Sequence, residues 1–116
     1  YQLGQGLKAL RREGVLILGS GNLVHNLRTA VFDNTTAFDW AVEYDANVRD
    51  AILAGDHDAV IHHEKHGRAA ALAVNSAEHY LPLLYVLGAS VHGEPVTFYN
   101  EKVTMGSISM RCVQLG

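Results

Sequence analysis

Cysteine and charge are scarce in this chain of 116 residues: there is one cysteine, and Asp, Glu, Lys and Arg together make up 18%. A single thiol, Cys112, cannot close an internal disulfide, which excludes a disulfide-stapled scaffold; set in a strand-like run, it reads as a buried thiol in a reducing, cytoplasmic setting. Charge below the usual quarter leaves a lean surface and hints at a covered partner face. Nine basic against twelve acidic residues, a net charge of -3, are spread along the chain, so no basic stripe exists to neutralise phosphates and nucleic acid is excluded as a partner. No apolar run approaches the roughly 18 residues needed to cross a bilayer. The opening YQLGQGLKALRREG has neither the charged-then-apolar layout nor the small-residue cleavage site of a signal peptide. It also lacks an initiator Met, and the expectation is that the chain begins partway through something longer. Repeats, low-complexity tracts and linkers are missing too, so residues 1–116 read as one region.

What is present is a globular balance, 48% hydrophobic, in an order that suggests an α/β fold: a mostly buried central sheet flanked by helices and a C-terminal strand pair. Leu3, Leu7 and Leu10 recur at helical spacing before Gly14, predicting a helix over 1–13 whose apolar side packs on a sheet. Val15 to Leu18 is a short, wholly apolar run, the pattern of a strand covered on both faces. Asn34, Thr35 and Thr36 offer N-caps for a helix through about Ala54, with Phe38, Ala41, Tyr44, Val48 and Ile52 near one face and Gly55 ending it. Residues 56–74 suggest one or two short helices broken near Gly67, and Ser76-Ala77-Glu78 opens a further helix, with Pro82 near its first turn, ended by Gly88. Two strands close the chain, Pro95 to Tyr99 and Thr104 to Leu115, the second alternating as if its faces were unequal.

Ligands in α/β sheets gather at the carboxyl ends of strands, and GSGNLVHNLR, residues 19–28, occupies that place after VLIL. A glycine loop there could cradle a phosphate, but GxGxxG is incomplete and no P-loop lysine follows. Close approach of the backbone to a ligand or metal centre is the better use of Gly19 and Gly21. Seven histidines are present. His62 and His66 share the i, i+4 spacing of zinc-binding helices, but HHEKH is not HExxH and reads as a solvated polar turn; His57 and His92 read as exposed loop residues. His79 differs, because it lies where a polar loop enters the apolar HYLPLLY. A packed helix-start imidazole and a ligand are equally compatible with that position.

Taken together, GSGNLVHNLR, EHYLPLLYVLGA (Glu78 to Ala89) and MGSISMRCVQLG resemble the carboxy-terminal half of the class III extradiol ring-cleavage dioxygenases, a LigB-like superfamily, in its 4,5-DOPA dioxygenase branch. The three matches fall in the family's order and span nearly the whole chain. The resemblance implies part of a larger α/β enzyme domain that opens a catechol ring beside its two hydroxyls, using O2 and a non-haem metal: iron(II) as the working ion, zinc as an alternative. It carries His25 over from the GSGNxVHN motif and His79 from EHYLP as metal-site residues. His25 stands as ligand or as an acid–base group acting on the catechol, and Glu78 as an alternative coordinating side chain. Ser20, Gly21 and Asn22 would line the substrate pocket, and Tyr80 would contact the ring.

The family's two other metal histidines, in a GHGSP-type loop and an SAHW-type segment, are not found here, so the implied enzyme is incomplete and inactive alone. Surface meant to meet the remaining half would then be bare, predicting self-association, by strand pairing among other routes. Two other readings compete with the dioxygenase: a non-catalytic α/β module binding a small ligand at the GSGN loop, and a zinc hydrolase built on HHEKH, disfavoured by its spacing.

Overall fold

The computed structural model describes residues 1–116. Five helices precede four short strands: α1 (Gln2–Arg12), α2 (Asp39–Leu53), α3 (His57–Ile61), α4 (Gly67–Ala73), α5 (Leu81–Ala89), β1 (Val96–Tyr99), β2 (Val103–Thr104), β3 (Ile108–Ser109) and β4 (Cys112–Leu115). One-turn 3-10 segments at His63–His66 and Ala77–His79 lead into α4 and α5. The class is mixed α/β, as the composition and order of elements suggested. Its strands form two antiparallel pairs, β1 with β4 and β2 with β3, in place of one central sheet.

The core is built by helices. Ala41, Tyr44, Val48 and Ile52 recur at three- and four-residue steps along α2 and meet Val60 of α3, the alanines 69, 70 and 73 of α4, and Leu83, Leu84 and Leu87 of α5. Leu23 and Val24 enter the same core from the loop after Leu18. α2 begins differently from the expectation. Asp33 folds the preceding loop, accepting from the Thr35 and Thr36 amides at 2.9 and 2.7 Å and from the Thr36 hydroxyl at 2.6 Å, and the helix starts only at Asp39 with no side-chain cap from Asn34, Thr35 or Thr36. A carboxylate outcompetes hydroxyls for backbone donors, and here it closes a turn instead. Gly55, at φ +70°, ends α2 in the left-handed conformation.

α1 forms where predicted, but its leucines do not pack on a sheet. Leu3 and Leu10 are exposed, and α1 instead crosses α5 through glycines. A Cβ on Gly4 would overlap the Tyr85 backbone, and one on Gly88 would overlap the Tyr1 carbonyl, so two glycines let the helix backbones approach more closely than side chains allow. Arg11 fixes the far end of this contact. Its guanidinium donates to both Glu94 carboxylate oxygens at 2.8 Å and to the carbonyls of Ala89 and Leu115, tying α1 to α5 and β4.

Val15 to Leu18 is extended but pairs with no strand, and Leu16 and Leu18 are each 85% exposed. Both faces of this run are apolar, yet apart from the Val15 amide, which donates to Leu10 O at 3.1 Å, its backbone has no hydrogen-bond partner in this chain. The second C-terminal strand is also shorter than the alternation implied. Left-handed residues at Met105 (φ 52°) and Gly106 (φ 76°) turn β2 back on β3, and β4 starts only at Cys112. Ser107 and Ser109 are buried and not on a wetted face, because each hydroxyl has a buried acceptor, the Asn26 carbonyl and the Asp45 carboxylate. Cys112 is exposed, contrary to the buried thiol expected: β4 is half of a two-stranded sheet with one face open, and Cys112 falls on that face.

Candidate functional site

Two histidines far apart in sequence meet face to face. The rings of His25 and His79 lie with centroids 3.5 Å apart and planes 15° from parallel, each half-buried. His25 is placed by its neighbours on both sides. Val24 is fully buried and Leu23 nearly so, which anchors the segment by about 1.5–3 kcal/mol for each side chain. The backbone is then clamped: the His25 amide donates to the Ala73 carbonyl at 3.0 Å, the Val24 carbonyl accepts from Ser109 at 3.0 Å, and His25 bridges Ile108 in antiparallel fashion. Asn26 is buried and fully used. Its Nδ2 donates to Leu72 O at 2.8 Å, and its Oδ1 accepts from Asn75 and from the Arg28 amide.

His79 closes the 3-10 turn before α5, and its carbonyl accepts the Asn22 amide at 2.8 Å. This contact explains the two glycines. A Cβ on Gly21 would overlap the His79 carbonyl oxygen, and one on Gly19 would stand 2.8 Å from the Pro82 carbonyl. The glycines therefore bring backbone to backbone, GSGN against the EHYLP turn, and not backbone to ligand as the sequence suggested. The close approach sets the distance between the two imidazoles. Pro82 fits because it sits in the first turn of α5, where its missing amide has no helical partner to lose.

Beside the pair runs a cleft of about 200 Å³ between residues 17–23, α5 and β4; Gly21, Asn22, His79, Leu83 and Arg111 are among its walls. Its lining is mostly apolar with a few polar groups, the usual make-up of a small-molecule site. Burial, and after it the proximity of His79, hold the His25 imidazole below its ordinary pKa, partly offset by the Glu78 carboxylate.

The other sequence-derived site residues divide. Gly21 and Asn22 reach the cleft; Ser20 is exposed beside it. Glu78 is exposed, and its own backbone amide and the Ser76 hydroxyl, at 2.8 Å from Oε1, hold its carboxyl below the usual range. Tyr80 does not face the site. It is 2% exposed, donates its hydroxyl to Val60 O at 2.8 Å and packs against Tyr44 and His63, because an i+1 side chain leaves a helical turn in a different direction from His79. Burial pushes its phenol up to about 12. His62 is exposed, with its ring nitrogens 3.5 Å from Asp58 and 3.3 Å from Glu64, while His66 turns its Nε2 toward Ala59 O, so HHEKH forms no joint site. No three His, Cys, Asp or Glu side chains gather as a set able to hold a metal ion.

Four polar residues behind the site went unread in the sequence: Asn26, Asp45, Ser109 and Arg111. Asp45 was detectable in principle, since a carboxylate four residues after Ala41 and three before Val48 lies on the buried stripe of α2.

Comparison with known proteins gives this geometry a context. Residues 1–112 match the family described as the catalytic LigB subunit of aromatic ring-opening dioxygenase. The 4,5-DOPA dioxygenase extradiol of Escherichia coli K12 is 39% identical over 121 aligned residues, covering 100% of this chain and 44% of that protein. Plant proteins of the same name are similar over shorter stretches: that of Mirabilis jalapa at 33% identity over 78% of the chain and that of Portulaca grandiflora at 36% over 77%. The crystal structure of an uncharacterized protein from Escherichia coli K12 superposes with a TM-score of 0.84 at 36% identity, over 99% of this chain and 48% of that one. The chain thus spans a third to a half of the length of the relatives it matches. With a family match that runs almost from end to end, this chain belongs to the LigB family of aromatic ring-opening dioxygenases.

Proposed function

We propose that this chain is the C-terminal half of the catalytic domain of an extradiol dioxygenase, which opens catechol-type rings with O2 and a non-haem metal, and that it contributes His25 and His79 to the active centre. The observation that carries this reading is the stacked imidazole pair at 3.5 Å, with His79 in the wall of a cleft of about 200 Å³. Two imidazoles are fewer than the three protein ligands usual at catalytic non-haem iron and zinc sites, so the donor set fits part of a centre whose other ligands come from outside these residues. Iron(II) is the expected ion, with zinc as the alternative, and when bound it would supply the Lewis acidity that binds and activates the diol and O2. The chain's own contribution is positional and protic. His79 is held by its place in the turn as a ligand; His25 serves as a further ligand or as the base that accepts a diol proton and returns it during ring opening. Gly21 and Asn22 form a wall of the substrate cleft, with Ser20 at its rim. Taken alone, residues 1–116 would turn over no catechol.

The Val15–Leu18 run, which pairs with no strand, and the exposed leucines of α1 fit the same reading, since an apolar segment whose backbone groups from Leu16 to Leu18 are unbonded needs partners. In the isolated chain that surface would drive self-association by strand pairing, seen as a concentration-dependent shift in size-exclusion elution; a clean monomer at all concentrations counts against it. A non-catalytic ligand-binding module is the alternative, favoured by the gathering of only two imidazoles. The deciding experiment is to express the complete reading frame with iron(II) without air, add a panel of catechols and admit oxygen. A yellow semialdehyde that disappears in His25→Ala and His79→Ala but persists in His62→Ala and His66→Ala supports the dioxygenase. Colour retained in both His25→Ala and His79→Ala refutes the assignment.

A further inference from the structure

Behind the imidazole pair lies a buried polar network that the catalytic reading does not use. Asp45, on the core face of α2, is 4% exposed. Its Oδ1 accepts the Ser109 hydroxyl at 2.5 Å, and its Oδ2 accepts Arg111 Nε at 2.9 Å and the Arg111 terminal nitrogen at 2.6 Å. Arg111 also pairs with Glu101 and lies over the Phe98 ring, 5.3 Å from its centroid. With two carboxylates already on it, this guanidinium carries no spare positive charge for an anionic ligand in the cleft. Its role is to hold Asp45 in place.

Ser109 is the branch point. Its hydroxyl is fixed by Asp45, and its backbone grips the loop of the site at two points: the amide donates to Val24 O at 3.0 Å and the carbonyl accepts Asn22 Nδ2 at 2.8 Å. Asn22 in turn donates its amide to His79 O, and Val24 directly precedes His25. One buried carboxylate is thereby connected to both imidazoles, through three hydrogen bonds to His79 and through two hydrogen bonds and a peptide bond to His25. We propose that Asp45 and Ser109 are positioning residues whose hydrogen bond sets the stacking of His25 on His79. The proposal rests on the reading of that pair as the working groups of the site, but its test reads the geometry and not turnover.

The test is the ring-current signature of the stack. Two parallel imidazoles this close displace each other's carbon-bound protons upfield and give inter-ring nuclear Overhauser contacts. In Ser109→Ala, which removes only the hydroxyl and keeps both backbone clamps in principle available, the upfield displacement should be lost along with the inter-ring contacts, while amide signals of α1 and its α5 contact stay put. Asp45→Ala should do the same if it folds. Asp45→Asn keeps its oxygen on Arg111 and turns its amide Nδ2 to the Ser109 hydroxyl oxygen, so the link between 45 and 109 persists and the signature should be retained, which a requirement for bulk stability alone would not predict. Ser109→Ala with the signature of the parent protein overturns the proposal, as does Asp45→Asn behaving like Ser109→Ala. Because no catechol or metal is involved, a result here stands whether or not ring cleavage is found.

Discussion

Gly21→Ala isolates the close approach that sets the site. Gly21 is not in the left-handed region, so alanine meets no conformational penalty there, and the whole effect is steric. The new Cβ would overlap the His79 carbonyl oxygen and stand 3.2 Å from Pro82 Cγ. The first of these is backbone, which cannot swing aside as a flexible side chain could. Overpacking of this kind costs about 1–3 kcal/mol. The adjacent Asn22 amide bond to the same carbonyl, 2.8 Å long, would be strained, a further loss of about 1 kcal/mol. Against this, alanine narrows the unfolded ensemble by about 0.4–1 kcal/mol. The net expectation is a destabilisation of about 2 kcal/mol, read in urea as a midpoint lower by about 1 M at an m-value near 2 kcal/mol/M. Gly6→Ala is the matched control. It lies in α1 with no atom near its would-be Cβ, so the same substitution should stabilise by up to about 1 kcal/mol. If Gly21→Ala melts at or above the parent midpoint while Gly6→Ala shifts upward, the glycine is not there for backbone approach and the account of how the imidazoles meet is wrong.

Gly4→Ala and Gly88→Ala should each destabilise by about 2–3 kcal/mol, since both would drive a Cβ into backbone at the α1–α5 crossing; a double variant should cost less than their sum, because the first already pushes the helices apart. Glu94→Gln should cost about 2 kcal/mol in urea unfolding by halving the charge of its two-point contact with Arg11. That contact also predicts an acid limb. Arg11 holds the Glu94 carboxyl below its ordinary value, so the stabilisation is complete above about pH 4.5, is lost as pH falls through the folded value, and should be missing from the acid profile of Glu94→Gln. His57 and His63 act in a higher window. Burial holds both imidazoles below 6.5, the unfolded chain takes up their protons first, and stability should therefore climb with pH up to about 6.5; urea midpoints that are flat from about pH 5 to pH 7 in the parent would contradict this.

Periodicity and punctuation made the helices legible. The stripe from Ala41 to Ile52, the stop at Gly55 and the early Pro82 all report local backbone physics that needs no knowledge of neighbours. The imidazole pair was legible only through the joint occurrence of three motifs, because nothing in the spacing of His25 and His79 says that they touch. The errors share one cause. Leu3 and Leu10 read as a core face and Val15–Leu18 as a doubly covered strand, since apolar patterning records an environment while the residues that would provide it are not fixed by the pattern. The resemblance implies a ring contact for Tyr80, but adjacent positions on a helical turn point to different surroundings, and Tyr80 turns into the core while His79 faces His25.

The same distinction explains why the supporting network stayed hidden. Ser107 and Ser109 alternate with Ile108 and Met110, and alternation normally means one wet face. Here the serines are buried because each hydroxyl has a buried acceptor waiting, on Asn26 and Asp45, two residues from distant parts of the chain. A buried serine costs little once paired and a good deal when not, so its burial depends on its partner more than on its own polarity. The signal that survives in sequence is the converse one. Asp45 stands on an apolar helix stripe where an unpaired carboxylate would be intolerable, so its presence alone demands a cation and a donor somewhere in the fold. Arg111 and Ser109 meet that demand, and in doing so they bring the strand ends against the loop that carries His25. An acidic residue on a core face, whose serine partner holds the loop that carries His25, is therefore better read as a strut of the site than as a flaw in the core.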